Sequence, residues 1–256
     1  MTSEVTTELV GGVLAVTLSR LDKKNALTNA MYGALADAIQ RAESDAEVRV
    51  VLIQADGELF TSGNDLGEFA EQATGKVPAE LNVLRFIQNL TVASTPIIAA
   101  VQGKAVGVGT TMLLHCDYVV LSEDAQLSVP FVNLALVPEA GSSYLLPLRT
   151  GHVRAFQLFS LGESIDAKSA VMWGIANAVV PGEDLRTEAR RVAEKLAAKP
   201  LGSLTATKQL MRDPQRLLAQ IDVESRVFAE RLKSAEAREA FTAFAQKRQP
   251  DFSTIR

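Results

Sequence analysis

The sequence predicts an α/β core followed by a helical C-terminal region. Short β-branched runs alternate with stretches of helical periodicity through the first half of the chain. Prolines punctuate a second half that reads almost entirely helical. Strand–helix alternation followed by helices alone is the signature of an α/β layer with a helical extension.

The run at 13–18 is short and apolar, a buried strand. Thr28 is a natural N-cap, and behind it Met31, Leu35, Ala38, Ile39 and Ala42 recur at helical spacing. Residues 50–53 form a second strand, and residues 67–78 read as a polar, mobile loop. Helical spacing resumes at Leu81, Leu84 and Ile87, and Pro96 opens a third strand over 97–101. A glycine-containing segment follows, then an apolar helix from Thr110 to about His115, and a fourth strand at 118–121. From Gly141 onward the chain is mainly helical, apart from a late strand at 176–180. Pro181, Pro200 and Pro214 mark helix boundaries, because proline cannot continue a helix. The last helical stretch, 214–247, breaks near Ser234. The division falls near residue 200: a core over 1–200 and a C-terminal helical region over 201–256.

Composition excludes several function classes. At 256 residues and 47% apolar content the chain can bury a large core. A formal net charge of −4 with scattered Lys and Arg lacks the basic patch of a nucleic-acid binder. One cysteine, Cys116, forbids an intrachain disulfide, which suits a reducing compartment. Two histidines and that cysteine are too few for an ordinary structural zinc site, and no metal is expected. His115 and Cys116 are expected to form a packed helix terminus. With no apolar run of membrane-spanning length and no signal segment, a cytoplasmic protein without membrane contact is expected. Nucleophile-elbow and phosphate-loop motifs are absent. Gly107 and Gly109 faintly match a dinucleotide fingerprint, but its third glycine position is Met112.

Two segments are left to carry chemistry. Phe60-Thr-Ser-Gly-Asn-Asp-Leu66 and Gly103-Lys-Ala-Val-Gly-Val-Gly-Thr-Thr111 each follow a β-branched strand. Glycines there allow tight turns and ligand approach to main-chain N–H groups. The second segment also opens a helix, where the N–H groups have no intrahelical partner and favour negative charge. Either segment alone is equally a plain turn. Two converging N–H donors would make an oxyanion hole. Glu139, just before a helix, reads on its own as a dipole-favoured carboxylate.

These segments, with Leu21-Asp-Lys-Lys-Asn-Ala-Leu27, Pro96-Ile-Ile-Ala-Ala-Val-Gln-Gly103, Cys116-Asp117 and the closing run 240–252, resemble the crotonase (enoyl-CoA hydratase/isomerase) superfamily across nearly the whole chain. The resemblance implies a spiral of ββα turns, a helical C-terminal trimerisation region and homotrimers or pairs of trimers. It also implies acyl-CoA thioester substrates, with no cofactor beyond the substrate's own CoA, and an oxyanion hole formed by the backbone N–H groups of Asn64 and Val108.

The departures from the pattern are informative. The two positions at which hydratases of this family carry glutamates are Thr111 and Phe131 here. Neither side chain is a general base near neutral pH. Thr111 is expected to take no part in proton transfer. A carboxylate lies eight residues past Phe131, at Glu139, and this resembles the Δ3,Δ2-enoyl-CoA isomerase branch, in which that glutamate is the sole acid–base group. Phe131, Leu134, Leu136 and Val137 would desolvate it and strengthen the base, or serve only as core.

For the CoA end the resemblance points to Lys23, Lys24 and Ala26, with Arg20 and Lys247 as further cationic candidates. Ser62, Gly63, Asp65, Leu66, Gly107 and Phe131 are the remaining substrate-binding candidates, although Asp65 and Asp117 also suit structural bonds to loop amides. The alternatives are a hydratase, another crotonase-type reaction on a CoA thioester, and a catalytically silent acyl-CoA-binding subunit.

Overall fold

The computed structural model describes residues 4–73, 78–253 and 255. The elements run β1 (Val5–Val10), β2 (Val13–Leu18), α1 (Asn29–Ser44), β3 (Val50–Ala55), α2 (Leu66–Ala73) and α3 (Asn82–Val92). Next come β4 (Ile97–Val101), β5 (Lys104–Val106), α4 (Val108–Thr111), β6 (Tyr118–Ser122), β7 (Gln126–Ser128), α5 (Ser142–Thr150) and α6 (His152–Leu161). The chain closes with β8 (Ile165–Asp166), α7 (Ala167–Met172), β9 (Ala178–Val180), α8 (Leu185–Ala197), α9 (Leu201–Leu210), α10 (Pro214–Leu232) and α11 (Ala235–Ala245).

A six-stranded sheet in the order β1-β2-β3-β4-β6-β9 is parallel except for β1, which pairs antiparallel at its edge. Successive residues of its inner strands face opposite sides, as strand geometry requires. Leu14, Val16, Val51, Ile53, Ala99, Val101, Val119 and Leu121 face the core that α1 covers. Val13, Val50, Leu52, Ile98, Ala100 and Val120 face Leu185, Ala189, Val192 and Ala193 of α8. Burial on both faces is why these strands are continuous apolar runs.

A second, three-stranded sheet holds β5, β7 and β8. Parallel bridges Leu27–Asn64 and Thr61–Ala105 extend its line of pairing towards the N-terminus. Each turn of the chain therefore lays one strand in the large sheet, then an extended stretch in the small one, then a helix: β3, 61–64, α2; β4, β5, α4. This is a spiral of ββα turns. It stacks the loop of one turn directly on the loop of the next.

The predicted strands at 13–18, 50–53, 97–101 and 118–121 all form, with ends within two residues. Thr28 caps α1, its Oγ1 accepting from the Met31 N–H at 3.2 Å. The break at Ser234 is a capped junction, Ser234 Oγ accepting from Ala237 N–H at 3.0 Å. The late strand is shorter than expected, at Ala178–Val180.

Two expectations are corrected, and one strand was not foreseen. The stretch read as a loop at 67–78 begins as helix α2, because the Asp65 carboxylate accepts the N–H groups of Gly67 (2.9 Å) and Glu68 (3.3 Å) and starts the helix; residues 74–77 lie outside the described part. The helix expected from Thr110 starts at Val108, where Gly107 turns the chain with φ 57° and ψ −119°, and it tightens to 3₁₀ geometry over Met112–His115. The N-terminal stretch holds strand β1, hidden because its alternate residues are solvated. Among the described residues, no helix is long and apolar enough to cross a membrane.

Candidate active site

The two glycine-containing segments meet through the small sheet. Thr61 N–H donates to Lys104 O (3.1 Å), and Val106 N–H donates to Thr61 O (3.1 Å). Two glycines make the approach possible. A Cβ on Gly109 would stand 2.3 Å from Thr61 Cγ2, and one on Gly63 would stand 2.9 Å from Val106 O, in addition to a φ of 91°. Both are closer than any side chain tolerates.

This packing leaves two N–H groups free. Among the described residues, neither Asn64 N–H nor Val108 N–H meets a protein acceptor, whereas neighbouring amides at Gly63, Asp65, Gly107 and Thr110 are all paired. Val108 is the first residue of α4, whose early N–H groups have no intrahelical partner. Free N–H groups on two adjoining loops can hold an oxygen that gains negative charge. The Asn64 side chain is turned away and tied down, its Oδ1 accepting from the Tyr32 hydroxyl at 2.5 Å.

Glu139 reaches the same place. Its Oε1 accepts from Thr111 Oγ1 at 2.5 Å, and Thr111 lies one helical turn beyond Val108. Burial pushes the Glu139 carboxyl up from the ordinary 4.5 to about 7; the Thr111 hydrogen bond opposes that rise and the Glu224 charge adds to it. The carboxyl is enclosed although the residue as a whole is only half-buried. A carboxylate poised near neutrality is matched to taking and returning a proton. Of the apolar residues flanking it in sequence, Leu136 is buried in the main core, with Leu134 and Val137 half-buried.

The turn presenting Glu139 is unusual. Ala140 (φ 59°) and Gly141 (φ 69°) both take left-handed backbone, which is unfavourable for alanine. Two side chains from distant elements hold it. His115 Nε2 lies 2.7 Å from Ala140 O. Burial lowers the His115 pKa to about 4, so the ring is neutral and Nε2–H is the donor. From α10, the buried Glu224 accepts Gly141 N–H (2.6 Å), Ser143 N–H (2.9 Å) and the Ser143 hydroxyl. Glu224→Gln is expected to cost about 1–3 kcal/mol of stability, since an amide offers one acceptor oxygen to these donors. It should also lower the midpoint of Glu139 ionisation by removing a like charge. Denaturant titration and the acid limb of the pH–rate profile check the two effects separately.

Beside the oxyanion candidates a cavity of about 570 Å³ opens, lined by Lys23, Ala26, Ser62, Asp65, Leu66, Val106, Pro130, Asn133, Leu134 and Phe244. It gathers five of the nominated substrate-binding residues: Lys23, Ala26, Ser62, Asp65 and Leu66. Gly63 and Gly107 contribute backbone geometry. Four others have different placements. Lys24 sits in left-handed backbone (φ 53°) with its carbonyl accepting Ser62 N–H, so it shapes the loop from outside the cavity wall. Phe131 is buried against Phe159, ring centroids 6.3 Å apart, and is a core residue. Arg20 is not a free cation: it bonds Asp65 (2.7 Å), Glu4 (3.0 Å) and Ala26 O (2.9 Å), tying the two loops together. Lys247 is exposed, just past α11.

Asp65 and Asp117 make the loop-amide bonds expected of them; Asp117 accepts Ile97 N–H at 2.8 Å and pairs with Lys208 at 2.7 Å. His115 and Cys116 are packed as a helix terminus. Sequence reasoning missed Tyr32, Glu224, Phe244 and the bond from Thr111. Only Thr111 carried a readable signal, its place one turn after Val108.

The family model described as enoyl-CoA hydratase/isomerase matches residues 8–254. The chain is 33% identical to a 1,2-epoxyphenylacetyl-CoA isomerase of Escherichia coli over 94% of this chain and 95% of that protein. It is 34% identical to a 2,3-dehydroadipyl-CoA hydratase of the same organism over 94% of each. Among solved structures, an enoyl-CoA hydratase/isomerase from Pseudoalteromonas atlantica superposes with a TM-score of 0.93 at 39% identity, covering 98% of this chain and 100% of that one. Pseudomonas aeruginosa OdaA gives 0.90 at 42% identity, covering 95% and 99%.

Proposed function

Because the chain belongs to the enoyl-CoA hydratase/isomerase (crotonase) family, enzymes of CoA thioesters, we propose that it is an enoyl-CoA isomerase that moves a 3-enoyl double bond to the 2-position, with Glu139 as its single acid–base group. The observation that carries this reading is one enclosed carboxylate within a helical turn of a free N–H donor. Thr111 and Phe131, in contrast, supply no second base.

In this reading the thioester oxygen lies between the N–H groups of Asn64 and Val108. Glu139, ionised, removes a proton from C2. Negative charge passes to the thioester oxygen, where the two N–H groups stabilise it. The protonated carboxyl then delivers the proton to C4 as the electrons shift, and the double bond settles in conjugation. One carboxylate suffices, because it leaves the cycle as it entered, and neither water nor a cofactor beyond the substrate's CoA is consumed. The CoA chain extends into the cavity beside Lys23 and Ala26, with Phe244 at its wall. A homotrimer or pair of trimers is part of the same reading. Apolar side chains exposed on α5, α6 and α9, among them Leu148, Phe156 and Leu210, support burial against other copies.

A hydratase is the second reading, because a relative of equal similarity is named as one. Purified protein offered 3-enoyl-CoA and 2-enoyl-CoA side by side separates the two. Conversion of the first to the conjugated thioester, read by ultraviolet absorbance, is the expected result. Water addition to the second at the greater kcat/KM would overturn the isomerase reading, and binding without turnover of either would mark a silent subunit.

A further inference from the structure

We infer that Thr111 is the positioning residue for Glu139: its hydroxyl fixes which way the carboxylate faces and holds it ready to ionise. This rests on the reading of Glu139 as the base.

Thr111 is fully buried, and its Oγ1 stands 2.5 Å from Glu139 Oε1 and 3.4 Å from Val108 O. A hydroxyl carries one proton and a carboxylate has none to give, so Thr111 donates to Glu139. Its β-branched side chain has few rotamers on a helix, so the donor is itself rigid. The bond joins the base to the helical turn that begins with the oxyanion donor Val108. One short connection therefore sets the distance between the group that moves the proton and the group that stabilises the resulting charge.

The same bond has an electrostatic role. None of the other titratable groups described around Glu139 offers a positive charge that would favour its ionisation. Glu224 on α10 is a like charge. Tyr32 on α1 interacts with the Glu139 charge and stays protonated. His115, packed under the same turn, is neutral. Burial, like the Glu224 charge, opposes the ionised form. Among these influences the Thr111 hydrogen bond alone favours the ionised form. Without it a smaller fraction of the carboxyl would be ionised at neutral pH, and less of the enzyme would hold a competent base.

The test uses Thr111→Val, which keeps the branched shape and removes the hydroxyl, with Thr111→Ala as a second hydroxyl-free variant and Thr111→Ser to restore the donor. Glu139 ionisation is followed directly by its carboxyl stretch in infrared difference spectra across a pH titration, assigned by subtracting Glu139→Gln. Losing a hydrogen bond to a charged group should raise the midpoint by about one pH unit. At pH 7 the ionised fraction would then fall from about one half to about one tenth, so kcat on a 3-enoyl-CoA should drop about fivefold from ionisation alone, and further from lost orientation. KM should change little, and Thr111→Ser should restore both quantities. An unmoved midpoint with wild-type kcat in the hydroxyl-free variants would overturn the inference. A raised midpoint alongside full turnover in Glu139→Gln would keep Thr111 as the tuning group but remove Glu139 as the base.

Discussion

Glu139→Gln is expected to lower isomerase turnover by about 10⁴-fold, the upper end for loss of a general base. One group takes the proton from C2 and returns it at C4, so the amide disables both transfers. The substitution keeps size and an acceptor for the Thr111 hydroxyl but has no basic lone pair. CoA-thioester affinity should hold, because the cavity beside Lys23 and the N–H groups of Asn64 and Val108 are untouched. In the wild type, turnover should rise with pH through about 7, as the burial-raised carboxyl ionises. Stability runs the other way. A raised folded-state pKa means that the protonated carboxyl favours the fold below about 4.5, and that this contribution is lost as pH rises through about 7. At pH 8, Glu139→Gln should therefore resist denaturant better than the wild type while being nearly inactive. A variant that turned over at wild-type rate would reduce Glu139 to a helix-start carboxylate.

Val108→Pro is expected to cost about 10²–10³ in turnover, the usual effect of losing one oxyanion donor. The position suits proline. Val108 is the first residue of α4, where a missing N–H breaks no helical bond. Gly107 before it has no Cβ to clash with the ring. Loss of activity with unchanged circular dichroism would place that N–H at the developing oxyanion. Retained activity in a folded variant would move the hole elsewhere.

The legible parts of the fold are those in which local pattern and tertiary environment agree. Strands β3, β4 and β6 are apolar on both faces because α1 and α8 cover both faces, so continuous β-branched runs marked them. Strand β1 escaped notice because only alternate residues are shielded at a sheet edge. Helix α2 was read as loop from its glycine and acidic residues, although Asp65 supplied the signal of a helix start. The site was legible wherever its chemistry lies in one stretch of chain: the glycines of both loops, and a carboxylate in an apolar run. Its supports were not. Thr111 and Glu139 are 28 residues apart, and Glu224 reaches Gly141 across 83. No spacing rule joins such pairs; the spiral brings them together. Arg20 misled for a related reason, since a loop cation reads as a phosphate ligand until its partner Asp65 is seen beside it.

Hydrogen–deuterium exchange at C2 of a 3-enoyl-CoA in D₂O, followed by NMR for wild type and Glu139→Gln in parallel, isolates the step on which everything else depends. The expected result is enzyme-dependent exchange at C2 that increases with pH through about 7 and is lost, by about four orders of magnitude, when Glu139 becomes glutamine. Exchange at the wild-type rate in folded Glu139→Gln would contradict the assignment of Glu139 as the base.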